Sequence, residues 1–176
     1  MMLKHFLFVL AVLAQVGILA VKPAEKLKVR LEGRTITVRT APFDPYDPVL
    51  GYFQRLGYEI WRPPGLDRLD AKRGDTVYTV LEQGEDGVWN AVSVSVGMPE
   101  VAAGQEMMRG WIEQPGWRDN VVNYGIEQYY VPEEMGRRIE DEIRQAGGKI
   151  LVDVAVDGRG RSSIVRLRVG DHAYEY

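Results

Sequence analysis

Cysteine is absent from this 176-residue chain, which removes a disulfide framework, a thiolate zinc site and a cysteine nucleophile together. Histidine is scarce, with only His5 and His172 present. A Ser-His-Asp arrangement would have to use His172 in a C-terminal turn, and the serines nearest to it in sequence, Ser162 and Ser163, fall on an expected hairpin arm. There a structural role outweighs a nucleophilic one. No glycine-rich phosphate loop is evident either, because Gly158-Arg159-Gly160 lies in a hairpin turn with no helix after it. Concentrated positive charge is also lacking. The 22 Lys and Arg are interleaved with 25 Asp and Glu, for a net charge of -3, so no nucleic-acid partner is expected. Two short basic clusters, Arg137-Arg138 and Arg159 to Arg161, read as solvated helix and turn positions in preference to a site for an anionic lipid or polymer.

One long apolar run is present. Phe6 to Val21 contains only Gln15 as an interruption and follows Lys4 and His5, which fits either a signal-peptide core or a membrane helix. Sixteen residues reach about 24 Å as a helix, against about 30 Å of hydrocarbon, and flanking Lys4 and Lys22 can snorkel across the shortfall. No A-x-A triplet follows, since the outer small-residue slots hold Val12 or Ile18. An uncleaved single-pass anchor over residues 1–24 is therefore the expectation, ahead of a single domain over 25–176. The cues for orientation disagree. Lys22, Lys26, Lys28 and Arg30 count towards a cytoplasmic domain, whereas the short tail with Lys4 before an apolar core has the layout of an export signal. The second cue favours a domain on the extracytoplasmic, periplasmic side.

Beyond the anchor the dominant period is two. Leu27, Val29 and Leu31 alternate with Lys26, Lys28 and Arg30, and the pattern resumes at Ile36 and Val38 after Glu32-Gly33, which predicts a hairpin turned at Gly33. Tyr52, Leu56, Tyr58 and Ile60 share one face of a next strand. Thr76 to Glu82 and Val88 to Val96 form a second expected hairpin about a Gly84 to Gly87 turn, with Val88, Val92, Val94 and Val96 facing inward. Met107 to Glu113 and Val121 to Val131 are further strands separated by Gln114-Pro115-Gly116. The period then changes. Met135, Ile139, Ile143 and Ala146 recur every three or four residues between Glu133-Glu134 and Gly147-Gly148, the acidic start and glycine stop of one amphipathic helix. Strands at 149–156, 162–169 and 173–176 close the chain, with an Asp157-Gly158 turn. The fold class is thus mainly β with one α-helix in the C-terminal half, an antiparallel sandwich or barrel-like domain behind an N-terminal membrane helix.

Acidic residues supply the remaining candidates for chemistry. Asp44 and Asp47, each before a proline, could offer oxygen ligands to calcium, but an Asp-Pro step is also an ordinary turn start whose carboxylate accepts backbone N–H bonds. The turn reading is preferred, and no metal or cofactor is expected. Glu59, Glu127 and Glu133-Glu134 could pair across a cleft for glycoside chemistry, with tyrosines stacking on sugar rings. Tyrosines covering a core while their hydroxyls reach its rim account for the same pattern. Exposure of Tyr52, Tyr129 and Tyr130 would instead mark a docking surface.

Several blocks together resemble a known family. Thr40-Ala41-Pro42-Phe43-Asp44-Pro45-Tyr46-Asp47-Pro48, followed by Gly51-Tyr52-Phe53-Gln54-Arg55-Leu56-Gly57-Tyr58, is similar to the signature of the GDYXXLXY family of bacterial membrane-anchored proteins. Arg73-Gly74-Asp75-Thr76-Val77-Tyr78, Trp89, the block from Tyr124 through Glu127 and Tyr130 to Glu133, and the Gly158-Arg159-Gly160 hairpin look like cyanobacterial variants. Gly51, Leu56 and Tyr58 match the namesake motif, whereas its Asp is Tyr52 here and its first Tyr is Phe53. Neither a carboxylate nor a phenol at those two positions can therefore be essential. The resemblance implies a membrane anchor, an extracytoplasmic domain and association with a multi-span membrane protein. It names no reaction, so no catalytic residue carries over. A looser resemblance to the β-rich domain of signal peptidases brings no serine chemistry, because no serine precedes Ser93. The expected function is a noncatalytic interaction or accessory module, with Asp44, Asp47, Gly51, Leu56, Tyr58, Tyr124, Glu127 and Tyr130 as motif positions. The alternative is an envelope hydrolase or carbohydrate-binding enzyme using Asp47, Glu59 or Glu127.

Overall fold

A run of apolar side chains with no polar face has nothing to gain from an amphipathic packing site, and here it forms an exposed helix. In a computed structural model that describes residues 2–41, 53–114, 119–130, 133–145, 150–170 and 172–175, helix α1 (Met2–Glu32) is continuous over 31 residues, about 46 Å. Its side chains from Phe6 to Val21 are exposed, and the helix is long and apolar enough to cross a membrane. A bilayer core takes about 30 Å, so about three turns extend beyond a bilayer-length segment. Pro23 stands where those turns begin, and its missing N–H leaves the Leu19 carbonyl without a helical donor.

Those last turns correct the expected hairpin at Lys26 to Val38. Lys26 to Leu31 is helical, because side chains that alternate also recur every four residues, and contacts far along the chain choose between the two periods. Lys26 Nζ donates to the carbonyls of Gly125 (2.9 Å) and Ser162 (2.7 Å). Arg30 Nη2 donates to Val165 O at 3.2 Å, and Val29 between them is buried. Gly33 is not a hairpin turn. Its N–H closes the helix on Val29 O at 2.8 Å, and a Cβ there would lie 2.6 Å from that oxygen and 2.9 Å from Val156 O. Close approach requires the glycine.

Strand β1 (Arg34–Ala41) follows directly. The other strands are β2 (Phe53–Arg55), β3 (Gly57–Tyr58), β4 (Thr76–Gln83), β5 (Trp89–Ser95), β6 (Gln105–Glu113), β7 (Val121–Asn123), β8 (Gln128–Tyr130), β9 (Ile150–Val156), β10 (Ser162–Val169) and β11 (His172–Glu175). They form a five-stranded sheet in the order β11-β10-β9-β1-β3, a four-stranded sheet β5-β4-β6-β7 and a two-stranded ribbon β2-β8. Every pairing is antiparallel. Val38, Val152, Val154 and Leu167 of the first sheet meet Val77, Leu81, Met108 and Ile112 of the second in one core. Helix α2 (Glu133–Gln145) adds Ile139 to it, with Met135 and Ile143 at its margin, on the spacing expected for one apolar face. Glu142 of α2 holds the edge strand by accepting from Tyr174 Oη and lying 3.3 Å from His172 Nδ1. His172 thus begins β11 and does not sit in a turn.

Three single strands expected from alternation are altered. The stretch to Ile60 divides into β2, β3 and a 3₁₀ turn (Glu59–Trp61), although Leu56, Tyr58 and Ile60 are all buried as expected. Val121 to Val131 divides at a turn where Gly125 has φ 73°. In β5 the register with β4 slips between Val80 and Leu81, so that Ser93 and Ala91 are consecutive partners and Val92 is the extra residue. This bulge changes the phase of the alternation. Trp89, Ala91 and Val94 therefore face the core, whereas Val92 and Val96 are exposed. The Gln114-Pro115-Gly116 turn, the Gly147-Gly148 stop, Asp44, Asp47, Gly51 and Tyr52 lie outside the described residues, in whole or, for the first of these, from Pro115 onward.

Candidate functional site

The turn from Tyr124 to Glu127 gathers hydrogen bonds from several elements remote in sequence. Its alternating apolar residues, Tyr124 and Ile126, point into the core, so their polar atoms need partners in a region closed to water. Tyr124 Oη donates to Ile60 O at 2.7 Å and shares a 2.9 Å hydrogen bond with Thr79 Oγ1. Tyr58 Oη donates to Ile126 O at 2.7 Å. Leu56 N–H donates to Glu127 O at 2.8 Å, and Ser162 Oγ donates to Tyr124 O at 3.1 Å. With Lys26 on Gly125 O, α1, β3, β10 and the 3₁₀ turn all grip one four-residue segment. Burial raises the Tyr58 hydroxyl well above the ordinary tyrosine value, helped by the nearby Glu127 charge, and burial likewise raises Tyr124. Both phenols stay protonated as donors.

Glu127 closes the turn from the side. Its Oε1 accepts the Tyr124 N–H at 2.6 Å, and Asn123 Oδ1 accepts the Gly125 N–H at 2.9 Å. Burial pushes the Glu127 carboxyl above the ordinary glutamate value, while backbone N–H groups from Tyr124 to Glu127 pull the other way. A carboxyl raised on folding contributes stability below its unfolded value that is lost as pH rises through its folded value. The stability of Glu127→Gln relative to wild type should therefore improve steadily as pH is raised from about 4.5. Denaturant midpoints of both proteins across that range measure it, and a difference that is flat or falls with pH would remove the argument.

The motif positions thus separate. Leu56, Tyr58, Tyr124 and Glu127 come together as a packed and hydrogen-bonded unit. Tyr130 takes part in the ribbon, paired with Phe53. Glu59 lies apart from the turn's hydrogen bonds, exposed and 3.3 Å from Arg39, which also holds Asp86 at 2.7 Å. Tyr129 is buried with its hydroxyl on Tyr174 O, so it packs and does not present a docking surface. Among the described residues no three His, Asp or Glu side chains converge as a metal site.

Sequence reading missed the neighbour of this turn. An open pocket of about 590 Å³ lies between α1 and β6, and Lys22, Lys26, Arg109, Trp111, Arg159 and Arg161 contribute to its walls. Gly125 lines it beside the Trp111 ring, which a Cβ on the glycine would touch at 3.4 Å. The single available signal was Lys22 and Lys26 at helical spacing just past the apolar run.

A family model described as GDYXXLXY protein matches residues 15–167, most of the chain. The chain belongs to the GDYXXLXY family. In this GDYXXLXY protein the matched region includes the end of the apolar run and the docked turns of α1 as well as most of the strands. Comparison with curated proteins finds no match, and neither does comparison with solved structures.

Proposed function

We propose that this GDYXXLXY protein is a membrane-anchored, noncatalytic accessory module that holds a β domain against a multi-span membrane protein on the extracytoplasmic side. The observation that carries the reading is the continuity of α1. One helix runs from the exposed apolar segment into the turns clamped by Lys26, Val29 and Arg30. A domain clamped in this way has a fixed direction relative to its anchor. Leu27 and Leu31, four residues apart, are 56% and 74% exposed on the face next to the clamp. They prolong the apolar stripe of the anchor past a bilayer-length segment, which suits a partner helix that also emerges from the membrane. The use of Glu127 by backbone donors and of Glu59 by Arg39 weighs against the hydrolase or carbohydrate-binding alternative.

The test places a photoreactive residue at Leu31 of the full chain in native membranes. The expected adduct is a polytopic membrane protein, and Leu27→Ser/Leu31→Ser should abolish copurification of that same protein. No adduct, or copurification indifferent to the double substitution, overturns the partner. A soluble sugar that raises the melting temperature, with the shift lost in Glu127→Gln, would turn the reading to the enzyme. A reporter fused at the C-terminus that is active only in the cytoplasm would reverse the assigned side.

A further inference from the structure

We infer that the pocket between α1 and β6 binds the phosphate of an anionic membrane phospholipid. The inference rests on α1 crossing a membrane. Lys22 is the first residue after the apolar run, and Glu25 and Lys26 follow within about one turn. All three line the pocket, which therefore opens at the level where hydrocarbon gives way to headgroups. Trp111 of β6, 42% exposed, also lines the pocket. An indole with one apolar side and one polar edge suits that boundary.

The charge in the pocket is unbalanced although the chain as a whole is acidic. Its walls carry Lys22, Lys26, Arg109, Arg159 and Arg161 against Glu25 alone. Two of these cations are engaged: Lys26 by two carbonyls, and Arg161 by Asp157 at 2.8 Å and Glu25 at 3.6 Å. The side chains of Lys22, Arg109 and Arg159 make no hydrogen bond or ion pair among the described residues. Three elements bring them together: α1 supplies the lysine, β6 supplies Arg109, and the Asp157 turn supplies Arg159. The last contact is fixed by the backbone, since Arg109 N–H donates to Gly160 O at 2.7 Å and a Cβ on Gly160 would meet Arg109 N at 2.9 Å. Arg159, read from sequence as a solvated turn residue, is thereby placed beside two other cations. A phosphate diester accepts hydrogen bonds from several donors at once, and its single negative charge would offset part of their excess. A volume of about 590 Å³ is ample for a headgroup.

The experiment uses the full chain in nonionic detergent, titrated with phosphatidylglycerol or phosphatidylcholine and read by native mass spectrometry. One phosphatidylglycerol should be retained per chain at concentrations where phosphatidylcholine is not. Arg109→Gln and Arg159→Gln should each weaken retention about fivefold, and together roughly thirtyfold, as expected for cations at an anionic surface. Both side chains are exposed, and an unchanged melting temperature verifies that the variants fold. Equal retention of the two lipids, or an undiminished preference in the double variant, overturns the inference. Displacement of the lipid by glycerol 3-phosphate at equal concentration would assign the pocket to a soluble phosphate and overturn the lipid. Flotation with pure phosphatidylcholine vesicles tests anchoring separately. A chain that fails to float overturns the membrane reading, whereas one that floats without a phosphatidylglycerol preference overturns the pocket alone.

Discussion

Asp153→Ala is expected to lower the unfolding free energy of the full chain in detergent by about 3 kcal/mol, with a fall in melting temperature of roughly 6–12 °C. Asp153 lies on the outer face of β9 with its side chain only 7% exposed. Antiparallel register sets Thr37 of β1 and Arg166 of β10 directly opposite it. Val165 is the extra residue where the β10 register shifts between Ile164 and Arg166. That bulge puts Arg166 and Arg168 on the face of the carboxylate. Oδ1 accepts from Thr37 Oγ1 at 2.7 Å and from Arg168 Nη2 at 2.8 Å, and Oδ2 lies 2.8 Å from Arg166 Nε. The last contact is a close ion pair without hydrogen-bond alignment, for Arg166 Nε has no aligned acceptor. Removing the carboxylate leaves two guanidinium groups side by side, of which Arg166 alone keeps a counter-charge among the described residues, the exposed Glu175 at 3.3 Å. Each is 39–40% exposed and can turn partly to water, which keeps the cost below the upper end for broken buried pairs, about 5 kcal/mol. Arg166→Gln should cost less than half as much. A loss below about 1 kcal/mol in Asp153→Ala would mean that the cluster is solvated and contributes little. The same bulge matters to α1, because Arg30 docks on the Val165 carbonyl that it exposes.

A methyl group at residue 110 should be nearly as damaging. Gly110 of β6 faces β7 so closely that a Cβ would lie 2.4 Å from Val122 Cγ1, 2.6 Å from Asn123 O and 3.2 Å from Tyr124 Cδ1. The valine can change rotamer. The Asn123 carbonyl cannot move alone, since Asn123 is held opposite Trp111 in the sheet. Gly110→Ala must push β7 and the Tyr124 turn outward together, at about 2–3 kcal/mol. The displaced turn carries Gly125 O, so Lys26 should loosen too, with faster amide exchange over the last turns of α1 as an independent readout. Gly97→Ala is the control: a Cβ there meets nothing within 4 Å, and its effect should stay within about 0.5 kcal/mol. Equal midpoints for the two alanine variants would show that the close approach at Gly110 is not needed.

Much of the fold was legible because it is written in local patterns. The β4 and β5 arms, the β9 and β10 arms and the helix through Ile139 each bury one face at their own period, and their turns carry glycine where φ is positive, as at Gly87 and Gly160. The misread places share a cause. At Lys26 to Leu31 a short alternation fits two periods. At Val92 one inserted residue inverts which side chains face inward. Around Gly125 a turn interrupts a run that reads as continuous. In each case the deciding interaction is with a segment remote in sequence, as Lys26 and Gly125 are, 99 positions apart.

The candidate site divides in the same way. From its residues alone the chain declared an apolar segment long enough to approach a bilayer's thickness, a mainly β domain and the motif blocks of its family, since composition, periodicity and motif order survive without knowledge of the fold. Only tertiary structure decided that α1 continues unbroken into the domain, that Glu127 serves the backbone of its own turn, and that Lys22, Arg109 and Arg159 stand around one pocket. Those outcomes depend on which carbonyls and charges are brought within about 3 Å of one another. Such proximity is set by sheet register and by the docking angle of a helix, and a linear sequence encodes neither in any local pattern.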